Sequence, residues 1–342
     1  MTHSTDQHSA GHHPAGHDPG GHDPGGHDPD GHHPESSTGP LVLGRPSPAA
    51  RTADTAARLR PGGDAAGAGY RAEGGRTGWC ALRAATVAGV RHRLAGQAGE
   101  DSFAWAHSPG RLAVAVADGL GSVPGSGGCA ARAAAAACAA AAASPDDLSG
   151  AVIEGMQAAN DAAAGGGATT VVLAVVEESG HVELARIGDS AAFVLGGNSD
   201  RWIDVFGGWE PGSDDGIETA TDALPGQGLH PERARARIDA DTVLVLASDG
   251  VADPWRDGPT TVAPVLGQAI SDHPTPLELA RLADFSRQGC HDDRTLVTVW
   301  LLGAEESEGS DDSDGSASSD GSASSDGSAG SDSDDPDEPL RD

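Results

Sequence analysis

The chain has 342 residues and a formal net charge of −31, from 52 acidic residues against 21 basic ones, and every basic residue is arginine. A chain this acidic repels the phosphates of a nucleic-acid backbone, so we expect no nucleic-acid partner. The length allows one large domain or two small ones with ample residues for a buried core. No run of about 18 apolar residues occurs, so we expect no contact with a membrane.

The four cysteines, at positions 80, 129, 138 and 290, are scattered and form no CxxC pair. This pattern favours buried thiols in a reducing compartment over a disulfide framework or a zinc site. The first residues also lack the basic and apolar regions of a signal peptide. We therefore predict a cytoplasmic protein, and we expect it to be a monomer.

Low-complexity sequence at both ends carries much of the acidic charge. Residues 1–40 repeat GHDPG-like units and hold nine of the fifteen histidines. They predict a disordered tail, which either binds Ni²⁺, Zn²⁺ or Cu²⁺ loosely through imidazoles or is only a solvated segment. Residues 304–342 are rich in Ser and Asp and predict a disordered acidic tail that solubilises the chain. Residues 41–78 predict a linker with one short helix around Ala50–Leu59, which leaves 79–303 as the folded domain.

The domain begins with a predicted strand at Cys80–Val90 and a loop at Arg91–Gly99. Glu100 and Asp101 then stand at the start of a second strand. The small and β-branched residues of Leu112–Ala117 predict a third strand, buried on both faces, which ends at Asp118 and Gly119.

Two helices are predicted next, and together they form one layer. Gly127–Ala143 is almost pure alanine, the residue with the highest helix propensity. Ser144 and Pro145 are typical of a helix start and predict a second helix that runs through Ala163.

The second half of the domain alternates strands with acidic turns. Predicted strands lie at Ala168–Val176, His181–Ile187, Ala191–Leu195, Asp241–Ala247 and Thr295–Leu302. Residues 196–238 show no periodicity and predict a long functional or mobile loop. Thr275 and Pro276 predict the start of a helix over Leu277–Gln288, which Gly289 ends.

One set of acidic residues shares a position beside the ends of predicted strands: Glu100, Asp101, Asp118, Asp189, Asp249, Asp253, Asp292 and Asp293. Carboxylates that converge where water is scarce repel one another unless cations neutralise them. Oxygen-only ligands select Mg²⁺, Mn²⁺ or Ca²⁺ over Zn²⁺. Two such ions with a shared carboxylate form a site for in-line displacement at phosphorus. The residues therefore predict metal-assisted phosphate hydrolysis, but they do not identify the substrate.

The motifs ED, ADG, GATT, GDS, SDG and DDRT, in this order over about Ala81–Leu302, resemble the metal-dependent protein phosphatases of the PP2C type, in a bacterial subgroup. The resemblance implies an α+β fold, a four-layer α/β/β/α sandwich of two antiparallel sheets flanked by helices. It also implies metals in a cleft at one end and hydrolysis of phosphoserine or phosphothreonine in proteins with two Mn²⁺ or Mg²⁺ ions. A phosphorylated protein would be the substrate.

The same resemblance implies a role for most of the acids. Asp118 would bridge two ions, and Glu100 with the carbonyl of Gly119 would complete the ligands of one of them. Asp101 would support that metal site through water. Asp249 and Asp292 would hold the other ion, which makes Asp118, Asp249 and Asp292 the candidate catalytic residues.

Two further positions relate to a third ion, and one departs from the family pattern. Asp189 and Asp253 match positions that, together with Asp249, would bind a third and weaker ion. Asp293 stands where the family commonly has Asn, so we expect it to support the ligands rather than bind an ion.

Three other departures concern the substrate. Gly96 occupies the place where family members commonly carry an arginine for the substrate phosphate, so His92, Arg91 and Arg93 are the candidates for that role. His92 resembles the histidine of a GxxH pattern in a bacterial subgroup. For Arg91 and Arg93, the alternative is a surface salt bridge. Leu120 replaces the histidine that follows Asp-Gly in animal members, and Ala191 replaces an arginine after GDS.

These departures leave two alternatives to an active phosphatase. One is a weakly active or inactive PP2C-fold module that binds phosphoproteins and regulates a partner. The other is metal handling by the His-rich tail, with no role for the folded domain.

Overall fold

The computed structural model describes residues 69–196, 202–207, 222–256 and 262–303. The predicted tails at 1–40 and 304–342, the helix predicted around Ala50–Leu59 and much of the loop predicted at 196–238 lie outside these ranges. Within them, no helix combines the length and the apolar character needed to cross a lipid bilayer.

Strands of the described ranges form two antiparallel sheets. The first sheet contains β1 (Tyr70–Arg76), β2 (Cys80–Val87), β7 (Ala191–Gly196), β8 (Trp202–Asp204), β10 (Thr242–Ala247) and β11 (Arg294–Leu301) in the order β1-β2-β11-β10-β7-β8. The second contains β3 (Ser102–Ser108), β4 (Arg111–Ala117), β5 (Val171–Glu177), β6 (His181–Ile187) and β9 (Glu232–Arg237) in the order β3-β4-β5-β6-β9.

Helices cover the outer face of each sheet. Their bounds are α1 (Val90–Ala95), α2 (Ser126–Ala143), α3 (Leu148–Ala163), α4 (Asp249–Arg256), α5 (Val262–Ser271) and α6 (Pro276–Ala283). The helices α2 and α3 pack on the five-stranded sheet, and α4, α5 and α6 pack on the six-stranded sheet. The fold predicted from the family resemblance, two antiparallel sheets flanked by helices, is confirmed.

The core divides according to the period of the strands. Along β4, Leu112, Val114 and Val116 point into the apolar layer between the two sheets, whereas the intervening alanines point toward α2 and α3. Side chains of neighbouring strand residues face opposite sides, so this sequence buries both faces at once. Alanine on the outer face allows α2, itself alanine-rich, to lie close to the sheet. This packing fixes the end of β4, where Asp118 follows.

Several elements differ from the predictions, all of them where the local pattern is weak. The strand β1 lies within the predicted linker, because its half-exposed sequence YRAEGGR has no apolar alternation and is stabilised by pairing with β2. The helix α1 replaces the start of the loop predicted at Arg91–Gly99. The strands β8 and β9 lie within the predicted loop at 196–238.

Helix boundaries also needed correction. Asp147, not Ser144, caps α3, and its carboxylate accepts a hydrogen bond from the backbone N–H of Gly150 at 2.9 Å. Thr275 caps α6 as predicted, in a capping box with Glu278, but the helix ends at Ala283 rather than at Gln288. The helices α4 and α5 were not predicted; α4 is eight residues long and contains Pro254, which is unfavourable inside a helix.

Candidate metal centre and active site

The predicted acids meet because many strands begin or end at one edge of the sandwich. Asp118 follows β4, Asp249 follows β10 at the start of α4, and Asp101 and Asp293 directly precede β3 and β11. A cleft of about 560 Å³ opens at this edge. The predicted residues that line it are Glu100, Asp118, Gly119, Asp189, Asp249, Asp292, Asp293, Arg91 and His92.

Three predicted site residues lie outside the lining of the cleft. Asp101 lies behind it, where its carboxylate accepts a hydrogen bond from the Thr295 hydroxyl at 2.8 Å. Arg93 turns away and pairs with Asp284 at 2.9 Å. Asp253 lies on α4 with its side chain 70% exposed, 3.7 Å from Arg256.

The backbone around Asp118 is held tightly. The carbonyl oxygen of Asp118 accepts hydrogen bonds from the hydroxyl of Thr169 and the backbone N–H of Thr170, both at 2.8 Å. Gly119 lies so close to the segment before β3 that a Cβ atom there would stand 2.7 Å from the carbonyl oxygen of Glu100. Only glycine permits this approach, which brings Glu100 and Asp118 to the same side of the cleft.

Three buried carboxyl groups lie close together, those of Asp118 and Asp249 in the cleft lining and that of Asp101 behind it. Burial raises the pKa of Asp118 far above its usual range, and the charges of Asp101 and Asp249 add to the rise. Burial also raises the pKa of Asp101 to about 7, with a contribution from the charge of Asp293. The pKa of Asp249 is raised to about 6 by burial and by the charges of Asp189, Asp292 and Asp253, although a hydrogen bond with Asp118 opposes the rise. Without a cation, this cluster therefore holds protons at neutral pH.

Asp293 joins the two sides of the cleft. Its Oδ1 atom accepts hydrogen bonds from the backbone N–H of Gly89 at 2.6 Å and from Nδ1 of His92 at 2.8 Å. Its Oδ2 atom accepts one from the backbone N–H of Glu100 at 2.5 Å. Both oxygens of this buried carboxylate are thus occupied by donors from the chain, which positions α1 and the Glu100 backbone.

A buried arginine supports the turn that carries Asp292 and Asp293. The side chain of Arg294 is 1% exposed, its guanidinium lies 4.5 Å above the centre of the Phe285 ring, and it donates a hydrogen bond to the carbonyl of Cys290 at 2.9 Å. Burial lowers the pKa of this arginine. The turn from 290 to 294 is therefore held by the buried side chain of Arg294.

The short helix α1 contributes the basic side chains of the cleft. Its C-cap, Gly96, has φ +64°, a left-handed conformation that strains any residue with a Cβ atom. An arginine is thus disfavoured at the position where the family resemblance leads one to expect it. Arg91 instead reaches the cleft and forms an ion pair with Asp292 at 2.9 Å.

Divalent cations fit the donors that are present. Oε2 of Glu100 is buried and has no hydrogen-bond partner among the described residues, and the carboxyl groups around it offer oxygen atoms only. In the described part of the chain, no three His, Cys, Asp or Glu side chains already stand at the spacing that chelates one ion.

Some residues of the site were missed from the sequence. Thr169 and Thr295 lie in the GATT and DDRT motifs, but their hydrogen bonds to Asp118 and Asp101 depend on contacts between distant strands. Gln97, Ser122 and His291 also line the cleft, and no sequence signal indicated them.

Comparisons with known proteins agree with this architecture. The sequence model described as "Protein phosphatase 2C" matches residues 88–275. No curated protein is similar enough in sequence to count as a match.

Solved structures that are similar to this chain include several phosphatases. The Mycobacterium tuberculosis serine/threonine phosphatase PstP is 22% identical, with a TM-score of 0.48 over 66% of this chain and 100% of that one. A bacterial serine phosphatase is 19% identical, with a TM-score of 0.49 over 65% of this chain and 98% of that one. RsbX in complex with magnesium is 15% identical, with a TM-score of 0.42 over 68% of this chain and 100% of that one.

Proposed function

The chain belongs to the protein phosphatase 2C family, and on that premise we propose that it hydrolyses phosphoserine and phosphothreonine in proteins with two Mn²⁺ or Mg²⁺ ions. The observation that carries this proposal is that Asp101, Asp118 and Asp249 are buried close together, where burial and the neighbouring carboxylates raise the pKa of each. Clustered buried carboxylates are costly for a fold unless cations neutralise them. A module that only binds phosphoproteins has no use for that cost.

The ligand sets follow from the side chains around the cleft. We propose that Asp118, Glu100 and the carbonyl of Gly119 hold one ion, with Asp101 in support behind them. Asp249 and Asp292 hold the other, and Asp118 is shared. Ions bound in this way supply an activated water for attack on phosphorus and neutralise the phosphoryl oxygens.

The chain's own residues orient the substrate. Asp293 holds Nδ1 of His92, so the opposite nitrogen of the ring faces Glu100, with Nε2 3.7 Å from Oε2 of the carboxylate. Arg91, also on α1, places a permanent positive charge at the mouth of the cleft. We propose that Arg91 and His92 bind the substrate phosphate, and that Arg93, paired with Asp284, anchors α1 instead.

Asp189 and Asp253 differ as candidates for a third ion. The charges of both act on the pKa of Asp249, but Asp189 lines the cleft whereas Asp253 lies on the exposed side of α4. A weak third ion would therefore bind near Asp189 and Asp249, with Asp253 at the outer edge.

The proposal also assigns the domain boundaries, the role of the two terminal segments and the compartment. The catalytic domain extends over 79–303 together with β1, which pairs with β2. We propose that residues 1–40 and 304–342 take no part in hydrolysis. Cys80, Cys129, Cys138 and Cys290 are all free thiols, which agrees with a reducing compartment such as the cytoplasm.

The test is release of phosphate by the full chain from a phosphothreonine peptide, with Mn²⁺ and with EDTA. We expect hydrolysis with Mn²⁺ and none with EDTA, and deletion of residues 1–40 should leave the rate unchanged. Activity that persists in EDTA contradicts the metal mechanism. Peptide binding without any release of phosphate supports the alternative of a regulatory module.

A further inference from the structure

One arginine in the described part of the chain lines the cleft, and it is already engaged by a carboxylate. The guanidinium of Arg91 lies 2.9 Å from Oδ1 of Asp292, and the two side chains are 76% and 54% exposed. Arg93, two residues further along α1, forms a pair of the same length with Asp284, but these side chains are only 20% and 33% exposed. The two neighbouring arginines therefore have different environments although they share one short helix.

The helix itself is fixed independently of Arg91. Asp293 binds the backbone N–H of Gly89 and the ring of His92, and Asp284 binds Arg93. These contacts hold α1 from its N-cap onward. The side chain of Arg91 can therefore change partner while the helix stays in place.

An exposed ion pair of this kind contributes little to stability and separates readily. Asp292, however, is close enough to Asp249 for its charge to act on that carboxyl. A divalent ion that binds Asp249 and Asp292 brings two positive charges to the carboxylate that Arg91 now neutralises. It thereby removes the partner of Arg91 and repels the guanidinium.

A phosphate group offers the arginine a new partner at the same place. The planar guanidinium donates two parallel hydrogen bonds to phosphate oxygens as well as to a carboxylate. We propose that Arg91 exchanges partners, from Asp292 in the metal-free protein to the substrate phosphate once a divalent ion is bound. This exchange rests on the proposed function, and it couples metal binding to recognition of the phosphate.

The exchange predicts opposite effects for one substitution. In Arg91→Gln, the ion no longer competes with a guanidinium for Asp292, so Mn²⁺ should bind about two- to five-fold more tightly. The same variant lacks a charge-assisted donor for phosphate, so the Mn²⁺-loaded protein should bind inorganic phosphate about 10- to 100-fold more weakly. An arginine that only stabilises α1 would produce no such pair of opposite changes.

Isothermal titration calorimetry of the full chain measures both affinities, first for Mn²⁺ alone and then for inorganic phosphate with Mn²⁺ present. Arg235→Gln is the matched control, because Arg235 is also 76% exposed and paired with a carboxylate, that of Glu183, but lies on β9 outside the cleft lining. We expect its two affinities to equal those of the wild type. Arg91→Lys keeps the charge and loses the planar fork, so it should bind Mn²⁺ as the wild type does and phosphate more weakly.

Unchanged or weaker Mn²⁺ binding in Arg91→Gln, or unchanged phosphate binding, overturns the exchange. If thermal unfolding shows that Arg91→Gln is not folded, Arg91→Lys decides, and wild-type phosphate affinity in that variant overturns the proposal. Both measurements are made without turnover, so a chain that fails to hydrolyse phosphopeptides still tests the exchange. An active enzyme with unaltered phosphate binding in Arg91→Gln refutes the exchange alone and leaves the proposed hydrolysis standing.

Discussion

Two groups of carboxyl groups differ in how they are held: the buried ones of Asp101, Asp118 and Asp249, here called the floor, and the exposed ones of Asp253 and Asp292, here called the rim. Asp101 and Asp253 belong to these groups although they lie outside the cleft lining. Those of the floor are buried, contact one another and have raised pKa values. Those of the rim are more than half exposed and lie beside arginines, at 3.7 Å from Arg256 and 2.9 Å from Arg91. The carboxylates of the floor are therefore neutralised only by a proton or a metal ion, whereas the carboxylates of the rim can exchange one cationic partner for another at little cost in free energy.

The sharpest way to break this contrast is Asp118→Asn. The substitution removes a carboxylate shared by both proposed ions, so we expect phosphopeptide hydrolysis to fall roughly 10³-fold. Asn is close in shape to a protonated carboxyl and carries no charge. The Tm of the metal-free protein should therefore not fall, and steady-state kinetics together with thermal unfolding check both points.

The control for this substitution is Asp161→Asn, which changes an exposed residue of α3 whose carboxylate accepts a hydrogen bond from Gln157. We expect full activity in that variant. A marked loss of Tm in Asp118→Asn would mean that Asp118 stabilises the fold rather than storing charge for an ion.

The pH dependence of stability offers a second test of the floor. A carboxyl group titrates at about pH 4 in an unfolded chain, whereas the folded pKa is about 6 for Asp249 and about 7 for Asp101. Between these pH values, the folded state binds more protons than the unfolded state. Stabilisation by these protons is complete below pH 4 and is lost as the pH rises through 6 to 7. We expect the free energy of unfolding in EDTA to fall by several kcal/mol across this window, because each unit of pKa difference corresponds to about 1.4 kcal/mol, and Tm to fall with it.

Saturating Mg²⁺ is the matched condition, because an ion that replaces the protons removes this loss. The difference in Tm between Mg²⁺ and EDTA should therefore grow as the pH rises from about 4.5 to about 7.5. This range spans the unfolded and folded pKa values of Asp101 and Asp249. A constant difference would show that the floor carboxyls are not the groups that the ion binds.

The smallest effect is expected at the rim, for Asp253→Asn. The side chain is 70% exposed and outside the cleft lining, so we expect kcat/KM to fall by less than about 5-fold and stability to change by no more than about 0.5 kcal/mol. Steady-state kinetics at several Mn²⁺ concentrations check this. A larger loss that high Mn²⁺ restores would indicate that Asp253 holds an ion and that the rim shares the role of the floor.

Much of the fold could be predicted because its strands are strongly patterned. The strand His181–Ile187 was predicted with its observed bounds, and Thr242–Ala247 differs by one residue, since continuous apolar runs between turns leave few alternatives. By contrast, β1 and β9 are half-exposed edge strands, and only their pairing with β2 and β6 defines them. Sequence patterns report burial, so elements that bury little are missed.

Part of the candidate site could also be predicted from the sequence. Acids that follow buried strands could be found from the chain alone, and the cleft brings Asp118, Asp249 and Asp292 to one place. The different surroundings of Arg91 and Arg93 could not be found, because they depend on Asp292 and Asp284, which are 201 and 191 positions away. Adjacent residues of one helix acquire different roles only through such distant contacts.

The position of β11 has a consequence for the order in which the protein is made. This last strand lies between β2 and β10, and the turn before it supplies Asp292 and Asp293. Asp293 binds the backbone of Gly89 across 204 positions of the sequence. A chain still emerging from the ribosome thus lacks Asp292, a proposed metal ligand, and the contact that holds α1 until almost the whole domain has been synthesised, so the proposed hydrolysis cannot precede completion of the fold.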